Sequence, residues 1–374
     1  MNVLLLTAHS IAEYDDVRML TGLGYDVFSI GAYTDPAHPT DDKRPPLPEP
    51  DGVRWPRTDW YHPELAAACQ RQRERHAGDP LDFAIDWAKA DLAPEVLDWA
   101  DVTIVHHFPI PWILAQWPRL RGKRVIWRTC GQSDPELERL MAPLHRQGLQ
   151  IVRYSPAERR AFGRIGAFAG EDAMIRFGKE PSDWYGTPQR EPLVGNITQD
   201  MVGRGDACGL RFWLAATEGL PVAPAGPGSE RLRGGLGSLS YDEMRAYLKR
   251  IGVYLYTGTR AASYTLGLIE AMLSGVPVVS IGARAFLPQL PELFEAPELT
   301  GLVMDEPEPS ILRRLLDDPD EARRWTVEQY NRALYLFSGV GLQWRAFLDR
   351  GEAIAASTLA TSPRAWSAVT GLAE

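Results

Sequence analysis

The residues with the clearest chemical potential lie in residues 253–281, the segment VYLYTGTRAASYTLGLIEAMLSGVPVVSI. Its hydrophobic pattern predicts a strand, a polar turn, a helix and a second strand. Ser263 or Thr265 can cap this helix, whose first backbone amides have no partner within the helix. The amides near Leu266 and Gly267 would combine free N–H donors with the positive end of the helix dipole. The segment therefore predicts a phosphate-binding site.

One carboxylate follows in the same helix. Glu270 lies one turn beyond the predicted phosphate site, where it could accept hydrogen bonds from ribose hydroxyls. Gly275 and Pro277 are placed to end the helix and to start the next buried strand. The alternative is an ordinary βαβ unit in which Glu270 is a solvated helix residue, and the spacing by itself does not separate the two.

The segment resembles the donor-binding signature of GT-B glycosyltransferases, especially the retaining family of sucrose and glycogen synthases and bacterial mannosyltransferases, the glycosyl transferases of group 1. That signature reads approximately E-G-F-G-(x4)-E-A-M-(x2)-G-x-P-V-(V/I). The resemblance implies a GT-B fold, in which two Rossmann-like α/β domains face each other across a cleft. It also implies that Glu270 binds the nucleotide ribose and that the amides of residues 264–267 meet the diphosphate. The residues that match the second half of the signature are Glu270, Ala271, Met272, Gly275, Pro277, Val278 and Val279.

The first half of the signature departs from the family pattern. The family's first Glu falls on Ala262, and its Gly-Phe-Gly falls on Ser263, Tyr264 and Thr265. That first Glu usually acts near the transferred sugar. The departure therefore leaves the donor sugar and the details of catalysis open, and a nucleotide-sugar-binding homologue without activity is an alternative.

A second group of candidate residues opens the C-terminal half, in the stretch VGNITQDMVGRG from Val194. In the family that the chain resembles, the first strand of this domain precedes a glycine-rich loop with a basic residue near the diphosphate. Arg204 is placed for that catalytic role, because a guanidinium group matches phosphate oxygens and stabilises charge on a leaving group. Asn196, Gly226 and Ser263 are further candidates for the donor site. The alternative for this loop is a surface turn.

A third group follows a strand of the N-terminal half, in the stretch VHHFP from residue 105. Strands of an open parallel sheet end at the ligand crevice, so at least one of the two histidines is expected to face it. Similar enzymes place a histidine here near the transferred carbon, which implies a catalytic role for His107 first and His106 second. Histidines that fill a buried strand end are the alternative. His9 and Arg128, at the ends of other strands, are candidates for the acceptor side.

The remaining pattern predicts the elements that position these groups. Apolar runs alternate with helical stretches, which predicts parallel sheets of α/β type. A helix over residues 241–250 is marked by a capping box at Ser240 and Glu243. Residues 35–56 are dense in Pro and Asp and predict a long loop, and residues 176–190 are typical of an interdomain linker. We expect an N-terminal acceptor domain (1–185), a donor domain (190–335) and C-terminal helices (336–374) that pack back toward the N-terminal domain.

Composition limits the classes of function. The chain of 374 residues has 45% hydrophobic and 24% charged residues, and no segment approaches the roughly 18 uninterrupted apolar residues of a membrane span. The net charge of −9 gives no general attraction to nucleic acid, which is a possible partner but not a favoured one. Three widely spaced cysteines offer neither a metal spacing nor a disulfide framework, which favours a soluble, cytoplasmic protein. Histidine is sparse, and we expect no metal site.

Other functions have weaker support in the sequence. A dinucleotide dehydrogenase requires a glycine-rich turn after the first strand, whereas the loop AHSIAEYDD has no glycine. A GxSxG hydrolase elbow is absent from the sequence. A sugar-nucleotide epimerase of the same fold stays open. By resemblance, the expected reaction transfers a sugar from a nucleoside-diphosphate sugar, with UDP or GDP as the nucleotide, without a cofactor and with retention. The acceptor hydroxyl could belong to a glycan, a small molecule or a modified nucleic-acid base.

Overall fold

The structure, a computed structural model, describes residues 1–7, 9–30, 61–75, 92–106, 110–120, 122–131 and 133–350. These residues form two parallel β-sheets with helices packed against them. We call the sheet within residues 2–174 and its helices the N-terminal half, and the sheet within residues 191–304 and its helices the C-terminal half. The loop predicted at residues 35–56 lies outside the described residues.

The strands of both halves are short. Those of the N-terminal half are β1 (Asn2–Leu6), β2 (Asp26–Ile30), β3 (Val102–His106), β4 (Arg124–Arg128), β5 (Gln150–Arg153) and β6 (Ala173–Met174). Those of the C-terminal half are β7 (Glu191–Ile197), β8 (Val222–Ala225), β9 (Ile251–Tyr256), β10 (Val278–Ile281) and β11 (Val303–Met304).

Helices connect successive strands. In the N-terminal half these are α1 (Ser10–Gly22), α2 (Pro63–Arg75), α3 (Pro94–Trp99), α4 (Ile110–Leu120), α5 (Pro135–His145) and α6 (Pro156–Arg164), and α7 (Pro181–Trp184) lies between the sheets. In the C-terminal half they are α8 (Met201–Arg204), α9 (Leu210–Ala216), α10 (Tyr241–Arg250), α11 (Leu266–Leu273), α12 (Ala283–Phe286), α13 (Ala296–Thr300), α14 (Pro309–Asp317) and α15 (Pro319–Phe337), followed by α16 (Val340–Arg350).

Strand order determines where a ligand can bind. The first sheet has the order β2-β1-β3-β4-β5-β6 and the second β11-β10-β9-β7-β8, and the paired strands are parallel. The chain direction across each sheet therefore reverses between β1 and β3 and between β7 and β9. Loops diverge at such a point, which leaves a crevice at the carboxyl ends of the strands. The two crevices are the expected positions for a site.

The strands form because their residues suit burial on both faces. Val3, Leu4 and Leu5 of β1 are fully buried, as are Val253, Tyr254 and Leu255 of β9. A strand covered on both faces carries an apolar run rather than an alternating pattern, because each residue meets a helix on one side or the other. The capping box predicted at Ser240 and Glu243 is confirmed, and α10 begins directly after it.

The two halves share one hydrophobic core. A cluster of buried residues joins Tyr154, Phe162 and Phe177 to residues of α11 and to Phe337 at the end of α15. Helix α16 then packs on the other half, where Trp344 lies with Val3 and other residues of the first sheet. The chain thus ends its described part against the sheet on which it began. Residues beyond 350, part of the predicted C-terminal helices, lie outside the described residues.

The first part of the stretch predicted as an interdomain linker is buried. Arg176, Phe177, Lys179 and Trp184 are each at most 8% exposed. The Arg176 guanidinium pairs with Glu295 at 2.5 Å, which ties the segment to the C-terminal half. The charges of Arg176, Lys179 and Asp183 are each paired with a partner distant in sequence. The two halves are therefore joined by specific contacts as well as by the chain.

Candidate functional site

A cleft of about 430 Å³ lies between the two halves, at the carboxyl ends of the strands that flank both reversal points. From the N-terminal half it is lined by the loops after β1, β3 and β4, and from the C-terminal half by the loops after β7, β8 and β9 together with the start of α11. The predicted site residues among its lining are His9, His106, Arg204, Gly226, Tyr264, Thr265, Leu266, Gly267 and Glu270. The fold thus brings together groups from five separate stretches of sequence.

Helix α11 presents its N-terminus to this cleft. Thr265 is its N-cap residue, but the Thr265 side chain makes no capping hydrogen bond. The first amides of an α-helix have no acceptor within the helix, and those of Leu266 and Gly267 lie in the cleft lining. The predicted capping role of Ser263 is wrong, because Ser263 lies two residues before the N-cap residue. The uncapped end of the helix suits an anionic group.

Arg204 brings a second positive element to the same cleft. It ends the short helix α8, which follows β7, and it lines the cleft while remaining partly exposed. Over the described ranges of the chain, no Asp or Glu forms an ion pair with its guanidinium group. Arg128, Arg176 and Lys179 each pair with a carboxylate instead. Arg204 is therefore the arginine of the described cleft lining that can pair with an incoming phosphate.

Gly226 allows the backbone to approach closely beside Arg204. Its φ is +107°, a conformation that L side chains rarely adopt, and a Cβ added there would lie 2.9 Å from the carbonyl oxygen of Thr198. Gly228 also has a positive φ, of +79°, and would crowd Asp200 in the same way. These two glycines let the loop after β8 fold over the loop after β7. A side chain at residue 226 would strain this wall of the cleft.

Glu270 reaches the cleft from one turn inside α11. It is 2% exposed, and its Oε1 accepts a hydrogen bond of 2.5 Å from the Lys179 ammonium. The same ammonium lies 2.7 Å from Oδ2 of Asp15 in α1. The alternative of a solvated Glu270 is therefore wrong. Lys179 and Asp15 were not predicted, because no local pattern links residues that lie this far apart in sequence.

A buried charge cluster supports the opposite wall of the cleft. Asp16 lies with its Oδ2 2.6 Å from Nη1 of Arg128 and 2.9 Å from Nε2 of His106. Burial would raise the pKa of Asp16, but Arg128 and His106 hold it below its usual value. Burial lowers the pKa of His106 despite Asp16, so this imidazole is neutral at neutral pH. With Nε2 facing Asp16, the nitrogen left to accept a proton is Nδ1, which lies 3.5 Å from the buried Thr7 hydroxyl, and a catalytic role for His106 stays a prediction.

The carboxylate of Glu158 fixes the loop between the cluster and the cleft. It accepts hydrogen bonds of 2.6 Å from the hydroxyls of Thr129 and Ser133, which flank Gly131 in the cleft wall. Burial raises the pKa of Glu158 to about 7. Cys130 lines the cleft in the same loop, and burial raises the pKa of its thiol to about 12. This thiol is therefore not a nucleophile near neutral pH.

Three of the predicted contacts are corrected by the structure. The side-chain amide of Asn196 donates to the carbonyl oxygen of Leu255 at 2.7 Å, and Asn196 does not line the cleft. The amide of Ser263 donates to the hydroxyl of Tyr154 at 2.7 Å, so it is not available to a diphosphate. Arg128 is 1% exposed and lies behind the cleft wall, which excludes direct contact with an acceptor. In each case burial requires an internal partner for the polar group.

The remaining candidates differ in how they meet the cleft. Tyr264 lines it, but its hydroxyl donates to the carbonyl oxygen of Tyr154 at 2.8 Å, which commits that hydroxyl to the junction between the halves. His9 precedes α1, and its Nδ1 accepts a hydrogen bond of 3.4 Å from the amide of Ala12. His107, the first choice for catalysis in the N-terminal half, lies outside the described residues.

Metal ligands and membrane-spanning helices are two features that would change the interpretation of the cleft. Among the residues that the structure describes, no group of three or more His, Cys, Asp or Glu side chains is arranged to hold a metal ion. No helix in the described ranges is long and apolar enough to cross a membrane.

Comparison with solved structures identifies the architecture. Sucrose-phosphate synthase from Thermosynechococcus elongatus is similar with a TM-score of 0.59 and 14% identity over 94% of this chain and 98% of that one. HepE from Anabaena, solved with UDP-glucose, has a TM-score of 0.57 and 12% identity over 94% of this chain and all of that one. A glycosyltransferase from Rickettsia africae has a TM-score of 0.57 and 11% identity over 94% and 97% of the two chains.

Sequence comparison adds no closer relationship. No protein-family model matches the chain, and no curated protein matches its sequence. At 11–14% identity, similarity over almost the whole length of both chains concerns the path of the backbone. The predicted architecture is confirmed: two parallel-sheet α/β halves face each other across a cleft, and the chain has the GT-B fold.

Proposed function

We propose that the chain is a cytoplasmic glycosyltransferase that moves a sugar from a nucleoside-diphosphate sugar to an acceptor hydroxyl. The observation that carries the proposal is that the N-terminus of α11, the unpaired Arg204 and the carboxylate of Glu270 converge on one cleft. A diphosphate fits the two positive elements, and a ribose with two hydroxyls fits the carboxylate. The spacing of one helical turn between the first amides of α11 and Glu270 suits the adjacent diphosphate and ribose.

The proposed reaction transfers charge to the leaving group. The bond between the anomeric carbon and the β-phosphate oxygen breaks while the acceptor oxygen bonds to the same carbon. Arg204 and the first amides of α11 would stabilise the negative charge that develops on the leaving nucleoside diphosphate. They would do so without a metal ion, because helix dipole and guanidinium supply the positive charge. The acceptor proton passes to the leaving phosphate oxygen, which is the expected route for a retaining transferase of this kind and needs no protein base.

The nucleotide is proposed as UDP or GDP. HepE, which shares the fold, was solved with UDP and with UDP-glucose, and this makes a UDP-sugar the first donor to test. The acceptor would enter from the N-terminal half, past His9 and the loop of Gly131. A glycan, a small molecule and a modified nucleic-acid base are the acceptor classes to compare.

A nucleotide-sugar-binding protein without turnover is the second candidate. Ala262 favours it, because this side chain lines the cleft where the similar family carries its first Glu. Ala262 offers only a methyl group to the bound sugar. The same three groups would bind the nucleotide in both candidates, so binding and turnover need separate measurements.

The first experiment is a thermal-shift panel with UDP, GDP, ADP and their sugars. A ligand that binds the native state raises the melting temperature by mass action. We expect at least one nucleotide to do so, and we expect Glu270→Ala to lose that shift. Glu218→Ala, which removes one exposed carboxylate just after α9, should keep it. The site assignment is wrong if no nucleotide stabilises the protein or if Glu270→Ala responds like the control.

The second experiment is product analysis with the nucleotide sugar that binds. Release of nucleoside diphosphate that depends on an added acceptor would support the transferase. Formation of an epimeric nucleotide sugar without acceptor would indicate an epimerase. Binding without either product, across the three acceptor classes, would favour the second candidate.

A further inference from the structure

Lys179 is the centre of a buried ion cluster that the two halves share. Its side chain is 1% exposed, and its Nζ lies 2.7 Å from Oδ2 of Asp15 and 2.5 Å from Oε1 of Glu270. Asp15 belongs to α1 in the N-terminal half and Glu270 to α11 in the C-terminal half. The ammonium also lies over the ring of Trp184, 5.6 Å from its centroid. One cation thus holds carboxylates from both halves of the molecule.

The backbone of Lys179 is fixed as firmly as its side chain. Its amide donates to the carbonyl oxygen of Phe337 at 3.0 Å, where α15 ends and the chain turns back toward the first sheet. The neighbouring Gly178 lies against Met19 and Val340, and a Cβ added there would be 3.4 Å from the Met19 sulfur. The backbone of Lys179 is therefore fixed by its neighbours. Lys179 is not among the residues that line the cleft.

Lys179 offsets one of the two negative charges of the cluster. With the ammonium, the three groups sum to one negative charge, and without it the buried carboxylate of Glu270 faces the half-buried carboxylate of Asp15. Two adjacent carboxylates cannot both stay ionised at low cost, so one of them binds a proton more readily. Among the described residues, the buried phenol of Tyr254 also lies near Glu270, and burial raises the pKa of this phenol. Helix α15 adds only Gln329, Ala333 and Phe337 from its buried residues, and Asp183 of α7 is paired with Arg18.

We infer that Lys179 is a positioning residue for the nucleotide, which keeps Glu270 ionised and oriented toward the cleft without touching the ligand itself. The inference rests on the proposed function, because it assigns the ribose to Glu270. An ionised Glu270 accepts hydrogen bonds from ribose hydroxyls, whereas a protonated one accepts them weakly. Lys179 thereby links the junction of the two halves to the affinity of the nucleotide site.

The test compares Lys179→Met with the double variant Asp15→Asn/Lys179→Met. The nucleotide is whichever of UDP, GDP and ADP stabilises the wild-type protein most, and its Kd is measured by calorimetry at pH 8 and pH 6. We expect Lys179→Met to weaken binding about tenfold or more at pH 6 and clearly less at pH 8. Because the terminal phosphate of the nucleotide also titrates near pH 6, each loss is taken as the ratio of variant to wild-type Kd at the same pH. A lysine that only supports the fold would not produce this difference.

For the double variant we expect the nucleotide affinity to recover. It restores the net charge of the wild-type cluster, and the amide introduced by the Asp15→Asn substitution could donate to Glu270. Its affinity should therefore return to within about threefold of wild type at both pH values. If Lys179 contacts the nucleotide itself, the double variant would stay as weak as Lys179→Met. That result, or a Lys179→Met variant that binds like wild type, would overturn the inference and leave the proposed function standing.

Two other outcomes are also decisive. If Lys179→Met does not fold, the double variant alone distinguishes the two roles, since a loss of tenfold or more at pH 8 contradicts an indirect role and recovery supports it. If none of the three nucleotides binds the wild-type protein, the proposed function and this inference fail together.

Discussion

Arg204 offers the sharpest test of the proposed chemistry, because it can be matched with a control. Arg204→Met removes a cleft guanidinium that has no carboxylate partner in the described part of the chain. Arg211→Met removes an equal charge from α9, where the side chain is 86% exposed and pairs with Asp206. The two variants have the same net charge. A difference between them therefore reports contact with the ligand and not the general field of the protein.

The expected magnitude follows from the bonds that Arg204 could make. Hydrogen bonds to a charged group contribute about 1.5–3 kcal/mol each. Because Arg204 is partly exposed, we expect Arg204→Met to lose about 2–3 kcal/mol of binding free energy. This corresponds to a Kd for the nucleoside diphosphate that is weaker by roughly 30- to 150-fold. Removing one stabiliser of the developing charge should lower kcat by a further factor of about 10² to 10³. Arg211→Met should change Kd less than about twofold.

Calorimetry with UDP and with uridine locates the lost interaction. Arg204→Met should weaken UDP and leave uridine binding close to that of wild type, because the nucleoside has no phosphate. The salt dependence of UDP binding should also become shallower, since one charge contact is gone. Equal effects of the two variants would refute the assignment of Arg204 to the diphosphate. Equal losses for UDP and uridine would place Arg204 on the nucleoside instead.

Two further predictions concern the walls of the cleft. Gly226→Ala should lower the free energy of unfolding by about 1–3 kcal/mol in urea titrations and weaken nucleotide binding, because its φ of +107° and the Thr198 carbonyl oxygen at 2.9 Å leave no room for a Cβ. Gly22→Ala, at a helical position with nothing within 4 Å, should be neutral or slightly stabilising, and equal losses in both variants would contradict the reasoning. Burial raises the pKa of Glu158 to about 7. Between about pH 4.5 and 7 the native state therefore binds more protons than the unfolded state. As pH rises through that window, this carboxyl lowers the free energy of unfolding. Glu158→Gln should therefore gain up to about 3 kcal/mol relative to wild type between pH 5 and pH 8, and a gain that does not depend on pH would show that the carboxyl does not titrate there.

Local sequence patterns predicted the elements around the site well. The predicted helix at residues 266–274 is α11, and the signals were a polar turn before an apolar run and Gly275 after it. The capping box at Ser240 and the strand that ends at His106 were predicted from equally short stretches of sequence. Such features depend on residues within a few positions of one another, so one sequence is enough to find them.

The contacts of polar side chains were harder to predict, because burial decides them. Asn196 is a residue type that binds ligands, yet its side-chain amide donates to the carbonyl oxygen of Leu255, and the backbone amide of Ser263 donates to the Tyr154 hydroxyl. Lys179 carried no signal, although it controls the surroundings of Glu270 from 91 positions away in sequence. A pattern can show that a polar group is present, but only the folded chain determines whether its partner is a ligand or the protein itself.

The loop at residues 262–265, which differs from the signature that the neighbouring segment resembles, has a structural role. Ser263 and Tyr264 both bond to Tyr154 across the junction, and the carbonyl oxygen of Ser263 accepts from the amide of Glu295, which pairs with Arg176. In this chain the loop therefore joins the two halves, and Ala262 leaves the adjacent part of the cleft without a carboxylate from that position. The groups proposed to bind the nucleotide lie in α8 and α11 and do not depend on this loop for their chemistry. Nucleotide binding as proposed therefore does not require a carboxylate from this loop, and a protein that binds UDP without turning over a UDP-sugar would point to the loop, not to Arg204 or Glu270.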